Sequence, residues 1–275
     1  MHKTALMQNY SLTLSKGTDN GSSSLSVNWI DQNGILRNTD YKRFNTRLAS
    51  DYSFFNNKLK IGASASVNRW KQHVAQGGIE EQLVAQHPAE PIYDNLGGYA
   101  GGYVDCLNDK PNPVRLQDNQ ANNRHTYWRI FGSGYVEIEP IKNLILKSNY
   151  GVNYYNSFDS DFVPAWQEST RTVDSNELSV SSSYTYNWVW TNTANYSLSI
   201  DKHNVSFLAG MESKKNYNEY LNGYGRGLTV EDVNYRYLNN VTNGQTVGNS
   251  AGKYAMVSYF GKINYSFDEK YLASF

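Results

Sequence analysis

Along this chain, runs of alternating apolar and polar residues end at a turn of a few residues, and the next run begins at once. In a strand, side chains two positions apart share a face, so this alternation predicts half-buried β-strands. Ten candidates follow, at about 5–16, 23–31, 41–54, 58–70, 124–138, 144–158, 182–200, 205–213, 253–267 and from Tyr271 onward. Tight turns are expected around 17–22, 55–58, 139–143, 201–204 and 268–270, where Asn, Asp, Pro and Lys cluster. The other connections, 31–40, 74–123, 159–181 and 214–252, are mostly long, polar and rich in Gly, Asn and Tyr. Short turns at one end and long loops at the other are the asymmetry of a transmembrane β-barrel. The nine complete candidates also reach the ~9–11 residues that a bilayer crossing needs, against ~5–6 for an ordinary soluble strand. The expected fold is therefore all-β, an antiparallel up-and-down meander forming part of a transmembrane β-barrel.

The charges agree with a lipid-facing side. On 41–54, Phe44, Thr46, Leu48, Tyr52 and Phe54 oppose Arg43, Asn45, Arg47 and Asp51. On 124–138, Trp128, Ile130 and Val136 oppose Arg129, Ser133 and Glu137, and on 253–267, Val257 and Ile263 oppose Lys262. A Lys or Arg facing lipid at mid-membrane costs about 2–4 kcal/mol, falling toward zero at the interfaces. Lys42 and Arg69, which break the pattern, stand near strand ends. The apolar set, with Leu25, Val27, Trp29, Leu59, Ile61, Val67 and Phe207, is expected on the convex side, and the charged set, with Lys60, on the concave side. Tyr184, Tyr186, Trp188 and Trp190 share one face at the loop end of their strand, as an interfacial aromatic girdle would.

Composition narrows the picture. The 275 residues carry 25 basic and 25 acidic side chains, so nothing points to nucleic acid. Mean hydropathy is −0.64, and no apolar run approaches the ~18 residues of a membrane helix, which says nothing against a barrel. A single cysteine, Cys106, allows no intrachain disulfide. Residues 1–7 hold no signal peptide, and the chain stops a few residues into a strand. The expectation is one unit, 1–275, truncated at both ends.

No catalytic set emerges. Glu137 and Glu139 share a face but suit a polar lining as well as an acid/base pair. The five histidines have no metal-ligand spacing, and Asp159 with Asp161 is weak evidence for calcium. Gly223–Gly227 lacks the strand-then-helix context of a phosphate loop and is expected to be a flexible extracellular loop. No enzyme activity, metal or cofactor is expected. Ligand contact is expected from aromatic residues in the loops: Tyr93, Tyr99 and Tyr103, set among glycines, and Trp166.

Several segments resemble one family, the SusC/RagA-type TonB-dependent transporters. Residues 31–43, DQNGILRNTDYKR, are similar to a family hairpin loop, and Asn112-Pro113-Val114 to an element that precedes a strand. Phe207–Glu212, FLAGME, resembles a family strand start, and residues 259–272, YFGKINYSFDEKYL, a family hairpin. Tyr10–Gly17 resembles a strand leading into a periplasmic turn. The resemblance covers nearly the whole chain, more weakly in the long loops. It implies a 22-stranded barrel of the cell outer membrane, of which this segment supplies nine to ten strands without the N-terminal plug or the C-terminal strands. It also implies import of glycan oligosaccharides or peptides, a SusD-like surface lipoprotein over the loops, and coupling to a TonB complex through the part N-terminal to this segment. The alternatives are a passive porin-type barrel, which shares every barrel feature, and a secreted glycan-binding β-sandwich.

Overall fold

The computed structural model describes residues 4–101, 110–168 and 171–275. Within them ten strands form a single antiparallel sheet, each paired to the next. These are β1 (Met7–Thr18), β2 (Gly21–Asn33), β3 (Asp40–Phe54), β4 (Leu59–His73), β5 (Arg124–Ile141), β6 (Leu144–Val163), β9 (Glu177–Ile200), β10 (His203–Leu228), β11 (Val241–Phe267) and β12 (Tyr271–Ser274). A small hairpin, β7 (Trp166–Glu168) and β8 (Arg171–Val173), lies in the loop between β6 and β9. Two short helices, α1 (Ile79–Ala85) and α2 (Pro113–Asn119), lie in the loop between β4 and β5. The sheet has no crossover and no second layer packed on its face, so the β-sandwich alternative fails. It is an open meander bounded by β1 and β12.

The tight turns are built from residues that tolerate a left-handed backbone. Asn56 and Asn57, Asn143, Asp201, and Asp268 with Glu269 all have positive φ, between 50° and 69°. Strict alternation then puts these turns at one end of the sheet and the four longer connections at the other. Three of those connections, 34–39, 164–176 and 229–240, are shorter than the sequence suggested. The 214–252 stretch is mostly ladder, because β10 continues to Leu228 and β11 starts at Val241. Gly223–Gly227, expected to be a loop, lies in β10, where the pairing with β11 shifts register between Tyr224 and Arg226. The physical reason is that both faces of this upper hairpin are polar and glycine-rich, so it pairs without alternating.

Register settles the facing. Leu25 lies opposite Leu48, Leu48 opposite Ala65, Ala65 opposite Gly132 and Gly132 opposite Val152. Following such rows across the sheet places all twelve predicted convex residues on one face and all seven predicted concave ones on the other. On the charged face, side chains reach across an intervening strand. The Tyr135 hydroxyl of β5 donates to Asp51 Oδ1 of β3 at 2.8 Å, passing over Gly62, where a Cβ would collide with both. Trp70 of β4 and Tyr155 of β6 bring their ring centroids to 6.1 Å, although strands two apart are separated by about 9.5 Å. Convergence of this kind marks the charged face as concave.

The outward cations that break the pattern are each accommodated near the loop end. Lys42 pairs with Asp31 at 3.2 Å, and the Arg69 guanidinium lies over the Trp128 ring at 4.9 Å. Glu137 meets Lys60 at 3.0 Å and Lys147 at 3.7 Å. Glu139 accepts the Asn143 backbone N–H at 2.9 Å. Their carboxylates are thus engaged in the wall and in a turn, in different interactions.

Candidate ligand-contact site in the loop cluster

The loops are organised around α2. Asn112 caps it: its side-chain carbonyl accepts the backbone N–H of Val114 at 3.0 Å and of Arg115 at 3.3 Å. Pro113 follows at the first helical position, where its missing N–H costs nothing. The same Asn112 side chain donates to the carbonyls of Ile92 and Ala100, both at 2.9 Å. The Asn-Pro-Val segment seen in the sequence is therefore a cap that also holds the loop ahead of it.

From the helix, Gln117 and Asp118 reach the loop between β2 and β3. Gln117 Nε2 donates to the Arg37 carbonyl at 2.7 Å. Asp118 Oδ1 accepts from Asn38 Nδ2 at 3.0 Å and lies 2.9 Å from Arg37 Nε. Asp118 Oδ2 accepts the Tyr99 hydroxyl at 2.9 Å. Burial, together with this carboxylate, pushes the Tyr99 phenol up to about 12, so it remains a donor at ordinary pH.

Toward β7, the contact is a buried ion pair. Arg115 and Glu168 are 3% and 1% exposed, and Arg115 Nε meets Glu168 Oε2. Glu168 Oε1 accepts the Asn112 backbone N–H at 2.6 Å. The Arg115 guanidinium also stacks on the Trp166 ring at 3.7 Å. Gly101 packs against the Glu168 backbone so closely that a Cβ would lie 2.9 Å from its carbonyl oxygen.

A second knot joins the remaining loops. The Asn176 side chain donates to the Leu228 carbonyl at 2.9 Å and accepts the Leu228 N–H at 2.6 Å. Phe162, Leu178, Leu228 and Val241 form a small apolar core beside it. Asn123 at the end of the α2 loop accepts the Phe162 N–H at 2.9 Å.

The structure brings three of the four predicted contact residues into this cluster. Tyr93 and Tyr99 form a tilted ring pair with centroids 5.7 Å apart, and Tyr99 bridges to Glu168 through the backbone. Trp166 has its face covered by Arg115, whereas Tyr93 is half exposed. Tyr103 and Cys106 lie outside the described residues. Sequence reasoning missed Arg115, Gln117, Asp118 and Glu168. The Asn-Pro helix start was the one available signal for the first three; nothing in the sequence pointed to Glu168. Among the described residues no group of His, Cys, Asp or Glu could hold a metal ion. His125 Nε2 shares a hydrogen bond with Asp161 Oδ1 at 2.7 Å, joining β5 to β6.

No family model matches the sequence. The chain is similar to two TonB-dependent receptors of Formosa agariphila. One is 24% identical over 273 residues, which is 98% of this chain and 27% of that receptor. The other is 26% identical over 288 residues, covering all of this chain and 28% of that receptor. It is also 22% identical over 300 residues to the TonB-dependent receptor SusC of Bacteroides thetaiotaomicron, 99% of this chain and 29% of that one. Among solved structures it superposes on the RagAB peptide transporter with a TM-score of 0.77 at 23% identity, covering 96% of this chain and 30% of that one. The siderophore receptor PiuA of Acinetobacter baumannii gives 0.52 at 11% identity, over 94% of this chain and 38% of that one. The chain thus spans between a quarter and a third of the curated relatives it matches.

Proposed function

We propose that this chain, a stretch of β-barrel wall of the SusC type of TonB-dependent receptor in the outer membrane, lines the path by which an oligomeric nutrient is imported. The single observation that carries this reading is the two-sided wall. One face is apolar and aromatic, the other is hydroxyl- and amide-rich and concave, and a knotted loop cluster stands at one end. The wall itself performs no chemistry. The cargo is a glycan oligosaccharide or a peptide; the superposition on a peptide transporter supports an oligomeric cargo. Tyr93, Tyr99, Tyr103 and Trp166 are the proposed contact residues of the loop cluster. A SusD-like surface lipoprotein closes over these loops, and the TonB complex engages a part of the protein outside this chain.

Deleting 91–110 in the full-length transporter tests the reading. Growth on a panel of oligosaccharides and peptides as sole nutrient, and co-purification of the surface lipoprotein, should fall. Outer-membrane abundance and heat-modifiable migration of the barrel should stay as they are. Unchanged growth with unchanged lipoprotein capture would remove the loop from the transport path.

A further inference from the structure

The concave wall carries a cationic recess below the loop cluster. Tyr41, Arg43, Asn68, Trp70, Arg129 and Phe131 line a cavity of about 350 Å³. All six belong to the concave side in the register of β3, β4 and β5. Among the described residues neither Arg43 nor Arg129 has an acidic partner, and the buried Arg43 Nε has no hydrogen-bond partner at all. Arg129 Nε donates to Asn153 Oδ1 at 2.9 Å, a neutral acceptor. Elsewhere on this face acids are matched: Asp51 by Tyr135 and Glu137 by Lys60. Two guanidinium charges with no acid beside them leave the recess positive, and a bound anion would be stabilised by both.

We propose that this recess is a subsite for a carboxylate carried on a transported oligosaccharide, that is, for a uronate-type sugar. This rests on the transport reading given above. Arg43 and Arg129 supply the charge, since a guanidinium offers the planar donor fork that matches a carboxylate. Trp70, stacked on Tyr127 with centroids 5.0 Å apart and planes 16° off parallel, supplies a fixed aromatic platform beside them. The surrounding lining favours a sugar over a peptide. Asn45 and Asn68, and Ser64 and Ser133 at 3.0 Å, are hydrogen-bonded pairs suited to a hydroxyl-rich ligand.

The test uses the full-length transporter with its surface lipoprotein, and compares uronate oligosaccharides, their carboxyl-reduced neutral counterparts and acidic peptides of similar length. The wild type should bind and import the uronate form in preference to the reduced form. Arg43→Gln should erase that preference, weakening uronate binding about tenfold, the scale of one lost charge-assisted hydrogen bond, and changing binding of the neutral form by much less. Trp70→Ala should weaken both sugars alike. The proposal is overturned if the wild type does not distinguish the two sugars, if it takes acidic peptides alone, or if Arg43→Gln keeps the preference. Should Arg43→Gln fail to reach the outer membrane, the wild-type comparison of the two sugars still decides. Import of neutral sugars without discrimination would sink the subsite and spare the transport reading, while import of no oligomer would sink both.

Discussion

Aromatic rings in polar loops suit ligand stacking, and the structure gives Trp166 and Tyr99 a second task. Arg115 occupies the Trp166 face, and Asp118 holds the Tyr99 hydroxyl. Residue type was legible in the sequence; the partners were not, since Arg115 and Glu168 are 53 positions apart and meet only through the fold. Removing one member of a buried pair leaves the other charge uncompensated, which costs about 3–5 kcal/mol. Glu168→Ala should therefore loosen the loop cluster, with faster amide exchange in α2 and faster protease cleavage near residue 115, while the barrel ladder keeps its protection. Equal protection of the loops in both proteins would show that the pair does not hold them. Replacing Tyr99 by Phe should be milder, about 1 kcal/mol, because Asp118 keeps Asn38 and Arg37.

At the scale of elements, periodicity marked the bilayer-facing part of each strand, not the length of the ladder. Alternation ends at 213, where the outward face of β10 changes: Val205, Phe207, Ala209 and Met211 give way to Ser213 and Lys215. Pairing nevertheless continues to Leu228, on the order of 50 Å further at ~3.3 Å per residue. Alternation reports a difference between two faces, and where both face water there is none to report. Charges support this boundary, because outward Lys215 and Lys253 would be costly at mid-membrane. The upper hairpin should then be dispensable for insertion but not for the loops. Excising Leu221 to Asn249, a directly paired couple, and closing with a two-residue turn should leave barrel assembly intact. It should expose the 164–176 loop to protease, since Asn176 loses Leu228 and the apolar core loses Leu228 and Val241. A barrel that fails to assemble after this excision would place the upper ladder inside the folding requirement.

For the molecule as a whole, the meander and its facing were legible because a single physical rule, lipid on one side and water on the other, acts on every strand. The loop architecture was not, because helix caps and buried ion pairs leave only local traces. That same rule sets what the segment can do alone. β1 is exposed along its whole length and β12 is paired only to β11, so both edges present unpaired backbone groups. Lipid cannot satisfy such groups, which is why spanning sheets close into barrels. In water the convex face is no better placed: Leu12, Leu14, Trp29, Leu48, Val257 and Tyr259 are among its exposed apolar residues, between 42% and 80% open. A flat edge and a wide apolar patch together favour edge-to-edge association. Residues 1–275 expressed alone should therefore give aggregates in detergent-free buffer and no protease-protected, heat-modifiable species in vesicles. Supplying the rest of the barrel as a separate chain should rescue both, because it pairs the two edges and closes the wall. A monomeric preparation of the isolated segment that melts cooperatively without detergent would contradict the dependence on closure.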